Sequence, residues 1–431
     1  MRPARPLRVL VLGLNYAPEP ISTAVYTEGM VAALADAGHD VTVVTAPPYY
    51  PGWRVFAGYS ALRYKVEHPR PGVTLVRCPL YVPRRPTGMR RLLHHMSFAL
   101  SAFPALLNDV MYGRPDLVLA IAPGLLAGPV GWAVARVSGA PCWLHVQDFE
   151  VEAARATGLL PGGRALGRGA LGTESVILRG FDRVSTISAP MHQRLLDKGI
   201  DPARAMLVPN WADLEGVRPG PEDPPLRAEL GLTGKRVLLY SGTLGRKQGL
   251  ELFPDLARRF AHRPDVALVV CGDGPMRGDL ARAAEGLPNL HLLPLQPAER
   301  LGELLAMAEM HLLPQIAGAA DLVLPSKLTN MMASGRPVVA TADPGTAIAS
   351  AVGGCGAVVP PGDLDGLANA VGSLLDDPDL RARLGARART RAEALWDRQR
   401  ILPRFVADIE ALAATRYRPI RRVSQQARGA P

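Results

Sequence analysis

Two glycine-rich loops and one short helix hold the residue types in this sequence best suited to binding an anion. In "LPSKLTNMMASGRPVV", Leu324–Val339, Lys327 and Asn330 stand three apart and so share a helical face. Pro325 turns the chain, Ser326 suits an N-cap, and Gly335 stops the helix after about Ala333. Ser326, Lys327 and Asn330 at the positive end of such a helix make an anion site, with one point charge and one amide for hydroxyls. The dipole contributes roughly 0.3–1 kcal/mol toward an anion at an exposed helix end. A charge-assisted hydrogen bond adds about 1.5–3 kcal/mol. Both suit a diphosphate; the plain alternative is a solvated Lys and a surface Asn.

"YSGTLGRKQGLE", Tyr240–Glu251, follows an apolar run and leads into a helical pattern. Gly242, Gly245 and Gly249 allow close backbone approach, while Arg246 and Lys247 add cations. Backbone N–H groups plus a cation again suit a diphosphate. The spacing is neither the GxxxxGK[ST] of a P-loop nor the dinucleotide GxGxxG. In "VVCGDGPM", Val269–Met276, Gly274 and its neighbours could pass close to a nucleotide base, or Asp273 could cap the helix that follows. "WLHVQDFEVEAA" ends a strand with His145, Asp148, Glu150 and Glu152. His145 and Asp148 are the catalytic candidates there. His145 could contact a sugar hydroxyl or assist a proton transfer, or be a satisfied structural His.

The elements that must position these loops alternate. Short apolar runs rich in Val, Ile and Leu (RVLVL, DVTVVTA, LVLAIA, PCWLHVQ, RVSTIS) are separated by helical patterns in the first half. One helix is predicted from about Thr23 to Ala37, closed by Gly38. "LVPNWADLEGVRPGPEDPPLR" has no periodicity and the composition of a linker. The alternation then restarts with RVLLYSG, VALVVCG, LHLLPL, MHLLPQ, PVVATA and GAVVPP. Such alternation means right-handed βαβ units and parallel sheets. The expected fold is α/β: two Rossmann-like, doubly wound parallel-sheet domains facing a central cleft. The domains are predicted at 1–205 and 206–394. A terminal helix, 395–416, packs back on the first domain, and 417–431 is a basic tail. Ligands of such folds bind beyond the carboxyl ends of the strands.

Composition narrows the class. The chain has 431 residues, 48% hydrophobic and 20% charged, which is globular rather than disordered. Cys78, Cys142, Cys271 and Cys355 are scattered with no CxxC pair, against a zinc site or a disulfide framework. A net charge of +10 favours an anionic partner. Nucleic acid is disfavoured, because aromatic content is only 5% and no RNA-binding signature is present. No signal peptide is predicted, since Leu7–Leu14 reads as a buried strand. Uncharged Leu117–Val134 reads as strand, turn and helix rather than as a membrane span, because Pro and Gly interrupt it. "YVPRRPTGMRRLLHHMSFALSAFPALL", Tyr81–Leu107, interleaves Arg84, Arg85, Arg90, Arg91, His94 and His95 with apolar residues. It reads as a basic amphipathic helix that lies on anionic lipid.

Taken in order, "NYAPEP", "YTEGMVAALADAGHDVTVVTA", "STIS", "VPNWAD", "GTLGRKQG", "CGDGP", "EMHLLP", "PSKLTNMMASGRPVVAT" and "GAVVPPGD" resemble the retaining glycosyltransferases of family four, with the GT-B fold. "NYAPEP", "LHVQDFE", "GRKQGLE" and "DLVLPSKLTNMMASGRPVVAT" are most similar to the colanic acid biosynthesis type within it. The resemblance implies a GDP- or UDP-linked sugar donor held by the second domain and transfer with retention. It implies a lipid-linked or glycan acceptor at the first domain, in exopolysaccharide synthesis. It assigns Gly242, Lys247, Asp273, Gly274, Ser326, Lys327 and Asn330 to the donor, and Asn15, Glu19, Ser22 and Thr23 to the acceptor loop. No metal or other cofactor is expected, because fixed cations can neutralise the leaving diphosphate. The setting implied is cytoplasmic, peripheral on the inner face of the membrane.

This sequence departs from the family pattern at several points. Leu322 stands at the first carboxylate of the usual paired-Glu motif and Asn330 at the second, with Asp321 nearby. Thr243 replaces a frequent phosphate-binding Arg, and Ser22-Thr23 replace a Gly-Gly pair. The alternatives weighed are a sugar-nucleotide epimerase of similar fold and a non-catalytic sugar-nucleotide binder.

Overall fold

The computed structural model describes residues 5–149, 164–221, 224–317 and 325–415. It forms two compact units. One gathers Met1–Ser185, Lys198–Ala205 and the chain from Pro403; the other holds Thr186–Asp197 and Met206–Leu402.

The first unit is built on β1 (Arg8–Gly13), β2 (Asp40–Thr45), β3 (Lys65–Arg70), β4 (Val73–Arg77), β5 (Leu117–Ala122) and β6 (Cys142–Val146), continued by β7 (Arg183–Thr186) and β8 (Ala205–Leu207). Every residue of β5 and β6 is buried, as expected of parallel strands covered on both faces. The strand order is β3-β4-β2-β1-β5-β6-β7-β8. β1 therefore pairs with β2 on one side and β5 on the other, both parallel, and the winding reverses there. β3 runs antiparallel to β4 at the sheet edge. Its polar KVEHPR run, half exposed and containing Pro69, gave no apolar signal to read in sequence, yet suits an edge strand.

The second unit holds β9 (Arg236–Ser241), β10 (Val266–Cys271), β11 (Leu290–Leu293), β12 (Met310–Leu313), β13 (Val338–Thr341) and β14 (Gly356–Val359). Their order is β11-β10-β9-β12-β13-β14, with every pairing parallel. Two apolar clusters cover its faces, and β9 feeds both. Val237 and Leu239 enter one, Leu238 and Tyr240 the other, because successive side chains point to opposite sides.

Three boundaries differ from those read in sequence. The supposed linker packs into the second unit: Ala212 and Val217 are fully buried, and the Ala212 N–H donates to the Trp396 carbonyl. The Arg389 guanidinium satisfies the carbonyls of Leu214 and Val217. The terminal helix predicted at 395–416 runs Arg398–Ala414, set off at Asp397 from the Pro378–Trp396 helix, and residues up to Leu402 belong to the second unit. Thr186–Asp197 also joins the second unit. The 417–431 tail lies outside the described residues. Leu117–Val134 is β5, a short 3₁₀ turn and the start of the Gly128–Ser138 helix. Among the described residues no helix is long and apolar enough to cross a membrane.

Phe405, on the last helix, sets its ring edge against Trp143 of β6, with centroids 5.7 Å apart, and both rings are fully buried. This contact anchors the chain's end to the first sheet. Phe405→Ala is expected to destabilise the first unit by about 3–5 kcal/mol. Urea denaturation followed by Trp fluorescence measures it; a loss below about 1 kcal/mol would mean that the helix adds nothing to that core.

Candidate functional site

The second sheet reverses its winding between β9 and β12, which pair directly. The three segments singled out in the second half meet at the carboxyl end of this sheet, where such folds bind ligands. The loop after β9 is stitched to the loop after β10. Gly242 N–H donates to the Cys271 carbonyl at 3.0 Å, Leu244 N–H to Asp273 at 2.8 Å, and Met276 N–H to Leu244 at 3.0 Å. So close an approach requires glycine. A Cβ on Gly272 would lie 1.9 Å from the Gly242 carbonyl oxygen, and one on Gly274 would lie 2.6 Å from that of Leu244. Both glycines have φ of 152°.

Lys327 reaches into the same place. It is the second residue of the Ser326–Ala333 helix, and its Nζ donates to the Tyr240 hydroxyl at 2.8 Å. The ammonium also lies over the Tyr240 ring, 4.1 Å from the centroid. Its stem passes Gly242, where a Cβ would stand 3.2 Å from Lys327 Cδ. Among the described residues no carboxylate pairs with it, and desolvation by burial lowers its pKa from 10.5 to about 7. A cation brought out of water with no counter-ion is a ready partner for an anion. Desolvation likewise raises the Tyr240 phenol above its ordinary range, so it stays neutral. Tyr240 carried no signal in sequence: it ends an apolar strand and reads as core.

The other donor candidates divide. Ser326 is not an N-cap; Pro325 occupies that position and Ser326 is the first helical residue, with no side-chain cap. Asn330 has a backbone partner. Its Oδ1 accepts the Asp213 N–H at 2.9 Å, so it ties the helix to the segment after β8. Asp273 does not cap the following helix, which starts at Arg277; its Oδ1 accepts the N–H of Gly274 at 2.8 Å. The Lys247 backbone lies in a 3₁₀ turn, Arg246–Gln248, but its side chain lies outside what is described. Asp321 and Leu322 also fall outside the described residues.

In the first unit, His145 does not reach solvent. It is fully buried, and its Nδ1 meets Ser185 Oγ at 2.8 Å, which also accepts from Trp143 Nε1 at 2.8 Å. Burial lowers its pKa to about 3, so the ring is neutral, and Nε2 meets no partner among the described residues. Asp148 is half-buried just past β6, while Glu150 and Glu152 lie outside the described residues. Asn15 and Glu19 are also inside. Glu19 Oε1 accepts the N–H groups of Tyr49 and Tyr50, both at 2.8 Å, and Oε2 accepts Asn15 Nδ2 at 2.8 Å. Burial pushes the Glu19 pKa up against the pull of those bonds. These two side chains bond within the loop after β1 and brace it. Ser22 and Thr23 open the Ser22–Asp36 helix, Ser22 exposed and Thr23 half-buried.

His94, read as part of a basic surface, points inward and is fully buried. Its Nδ1 lies 2.6 Å from the Tyr81 carbonyl, which can only accept, so the proton sits there. Nε2 therefore accepts the Tyr49 hydroxyl at 2.9 Å. Burial lowers its pKa to about 4. Asp363 and Asp377 are helix caps, each accepting the N–H three residues on. Among the described residues no group of three or more His, Cys, Asp or Glu could hold a metal ion.

Residues 23–211 match the model of the glycosyl transferase 4-like domain, and 223–391 that of glycosyl transferases group 1. The chain is 38% identical to the "putative colanic acid biosynthesis glycosyl transferase WcaI" of Escherichia coli K12, over 94% of this chain and all of that one. An alpha-D-kanosaminyltransferase of Streptomyces kanamyceticus is 31% identical over 38% of this chain and 42% of its own. Among solved structures, sucrose-phosphate synthase from Thermosynechococcus elongatus superposes with a TM-score of 0.71 at 21% identity, covering 95% of this chain and 99% of that one. Anabaena HepE in complex with UDP-glucose does so with a TM-score of 0.67 at 17% identity, over 94% and 99%.

A desolvated lysine makes anion binding proton-linked. A sugar nucleotide has no phosphate group that titrates between pH 7 and 9, so Lys327 would govern that range. The ammonium is present below about pH 7 and lost above it. Affinity for UDP-glucose or GDP-mannose is expected to fall by up to about tenfold per pH unit from pH 7 to 9. Calorimetric titration at several pH values measures the slope. A flat profile in the wild type, or the same slope in Lys327→Met, would remove Lys327 from the binding step.

Proposed function

The chain belongs to the family-four glycosyltransferases of the GT-B fold, and we propose that within this family it moves a hexosyl group from a nucleoside-diphosphate sugar to a lipid-linked saccharide. Family membership decides for a transferase over the epimerase and the non-catalytic binder. The proposed transfer retains anomeric configuration and builds a cell-surface polysaccharide, as the likeness to a colanic acid enzyme suggests.

The observation that carries the donor assignment is the Lys327 ammonium. Among the described residues it stands without a carboxylate, at the start of a helix and beside the glycine loops that end β9 and β10. When the glycosidic bond to phosphate breaks, negative charge grows on the leaving diphosphate. A fixed cation and a helix N-terminus stabilise that charge without reorganising. HepE holds UDP-glucose in a similar fold, so a uridine nucleotide is the first donor to try, with GDP-sugars next. His145 is neutral and wholly buried, so the reading gives the acceptor's proton to the donor's own phosphate.

Support for a lipid-linked acceptor comes from the Gly88–Tyr112 helix. Met89, Leu92, Leu93, Met96, Leu100 and Phe103 are exposed on it, beside exposed Arg84, Arg85 and Arg90. Apolar side chains backed by cations suit an anionic lipid surface. The Tyr64 hydroxyl donates to the Ser101 carbonyl at 2.8 Å, which ties exposed Leu62 and Tyr64 to the same helix.

A thermal-shift panel of UDP-, GDP- and dTDP-sugars without added metal tests the donor. One nucleotide family is expected to raise the midpoint, and its free diphosphate as well. Lys327→Ala should abolish that shift and lower turnover by about a hundredfold or more while the protein still folds. Normal turnover in a folded Lys327→Ala would remove the diphosphate role. Sedimentation with vesicles tests the surface. Binding is expected to phosphatidylglycerol-containing vesicles and not to pure phosphatidylcholine, and to weaken with salt and in Arg84→Glu/Arg85→Glu. Equal recovery with both vesicle types would refute the anionic-lipid reading.

A further inference from the structure

Lysine has a long, flexible stem, and an unguided ammonium at a sheet end would sample many positions. Here the surroundings leave it one. The Tyr240 hydroxyl has a single proton, and it lies 2.7 Å from the Thr243 carbonyl oxygen, which can only accept. The phenol proton is therefore committed to Thr243, and the oxygen's lone pair faces Lys327, whose N–H it receives at 2.8 Å. The ring below offers its face to the same ammonium. That ring cannot tilt away. It is fully buried, and Phe253 meets it edge-on with centroids 5.6 Å apart. Gly242 leaves the space that the lysine stem occupies.

We propose that Tyr240 is a positioning residue for diphosphate binding: its hydroxyl and ring face aim the Lys327 ammonium at the phosphates of the donor. The inference rests on the donor assignment of Lys327 and adds the residue that makes that lysine directional. One N–H of the ammonium is spent on Tyr240, and two remain for phosphate oxygens. The same hydroxyl fixes the Thr243 carbonyl, so it sets the spacing between the glycine loop and the cation. A phenylalanine at this position would keep the packing and the ring face and lose both bonds.

Inorganic pyrophosphate is the probe, because it contains the proposed chemistry and no base. Its affinity is measured by calorimetry for the wild type, Tyr240→Phe, Lys327→Met and the double variant, with thermal midpoints recorded alongside. Tyr240→Phe is expected to weaken binding about tenfold. Lys327→Met should weaken it more, and the double variant should match Lys327→Met alone, because Tyr240 acts through the lysine. Unchanged affinity in Tyr240→Phe overturns the inference while leaving Lys327 in place. A tenfold loss that persists in the Lys327→Met background also overturns it, since Tyr240 would then act through the Thr243 loop. Pyrophosphate that binds Lys327→Met as well as wild type, or binds neither, overturns the donor reading itself.

Discussion

The second unit is organised around one desolvated charge. Placing the Lys327 ammonium at the sheet end beside a neutral phenol, with no carboxylate opposite among the described residues, costs solvation. The surrounding structure holds that arrangement together. β9 delivers Tyr240 at its last turn inward, Phe253 pins the ring, and the glycine at 242 opens a slot for the stem. Leu328, Met331 and Met332 bury the helix that carries the lysine, so its start cannot drift from β9. The winding reverses between β9 and β12, the place where sheets of this kind bind ligands.

The first unit solves a different problem. Its loop after β1 has no regular pairing, and a buried carboxylate takes over that task. Glu19 collects two backbone amides and the Asn15 side chain, and Tyr49 passes the network on to His94. Each member is satisfied by another, which is the condition for polar groups to be stable inside a core. The Gly88–Tyr112 helix thus turns His94 inward with Phe98, Ala102 and Leu106, while Met89, Arg90, Leu93, Leu100 and Phe103 are exposed. Asn15 and Glu19, read in sequence as acceptor contacts, also brace the loop after β1.

Asn330 and the supposed linker have partners that no local pattern reveals. Spacing put Asn330 on the face of Lys327, and helical geometry permits that. The competing partner was the Asp213 N–H, more than a hundred residues earlier and invisible to any local pattern. The same holds for the supposed linker. Its Pro, Gly and Asp residues signal irregular backbone, which it is. Irregular does not mean free, because Arg389 and Trp396 supply hydrogen bonds to that backbone from the far end of the unit.

By itself the sequence determined the two α/β units, nearly all of their parallel strands, and the glycine loops that end β9 and β10. These follow from local signals: apolar runs of strand length, helical periodicity, and glycines where no other residue fits. The motif order also determined the enzyme family. Only the tertiary structure decided which polar residues are bonded within the fold. Tyr240 became a partner of Lys327 because β9 and a helix some eighty residues later converge at one sheet end. Glu19, His94 and His145 became internal because packing around them removed water and supplied bonds from distant segments. A side chain's type states what chemistry it can do; burial and partners, set by contacts far apart in the chain, decide whether it is available.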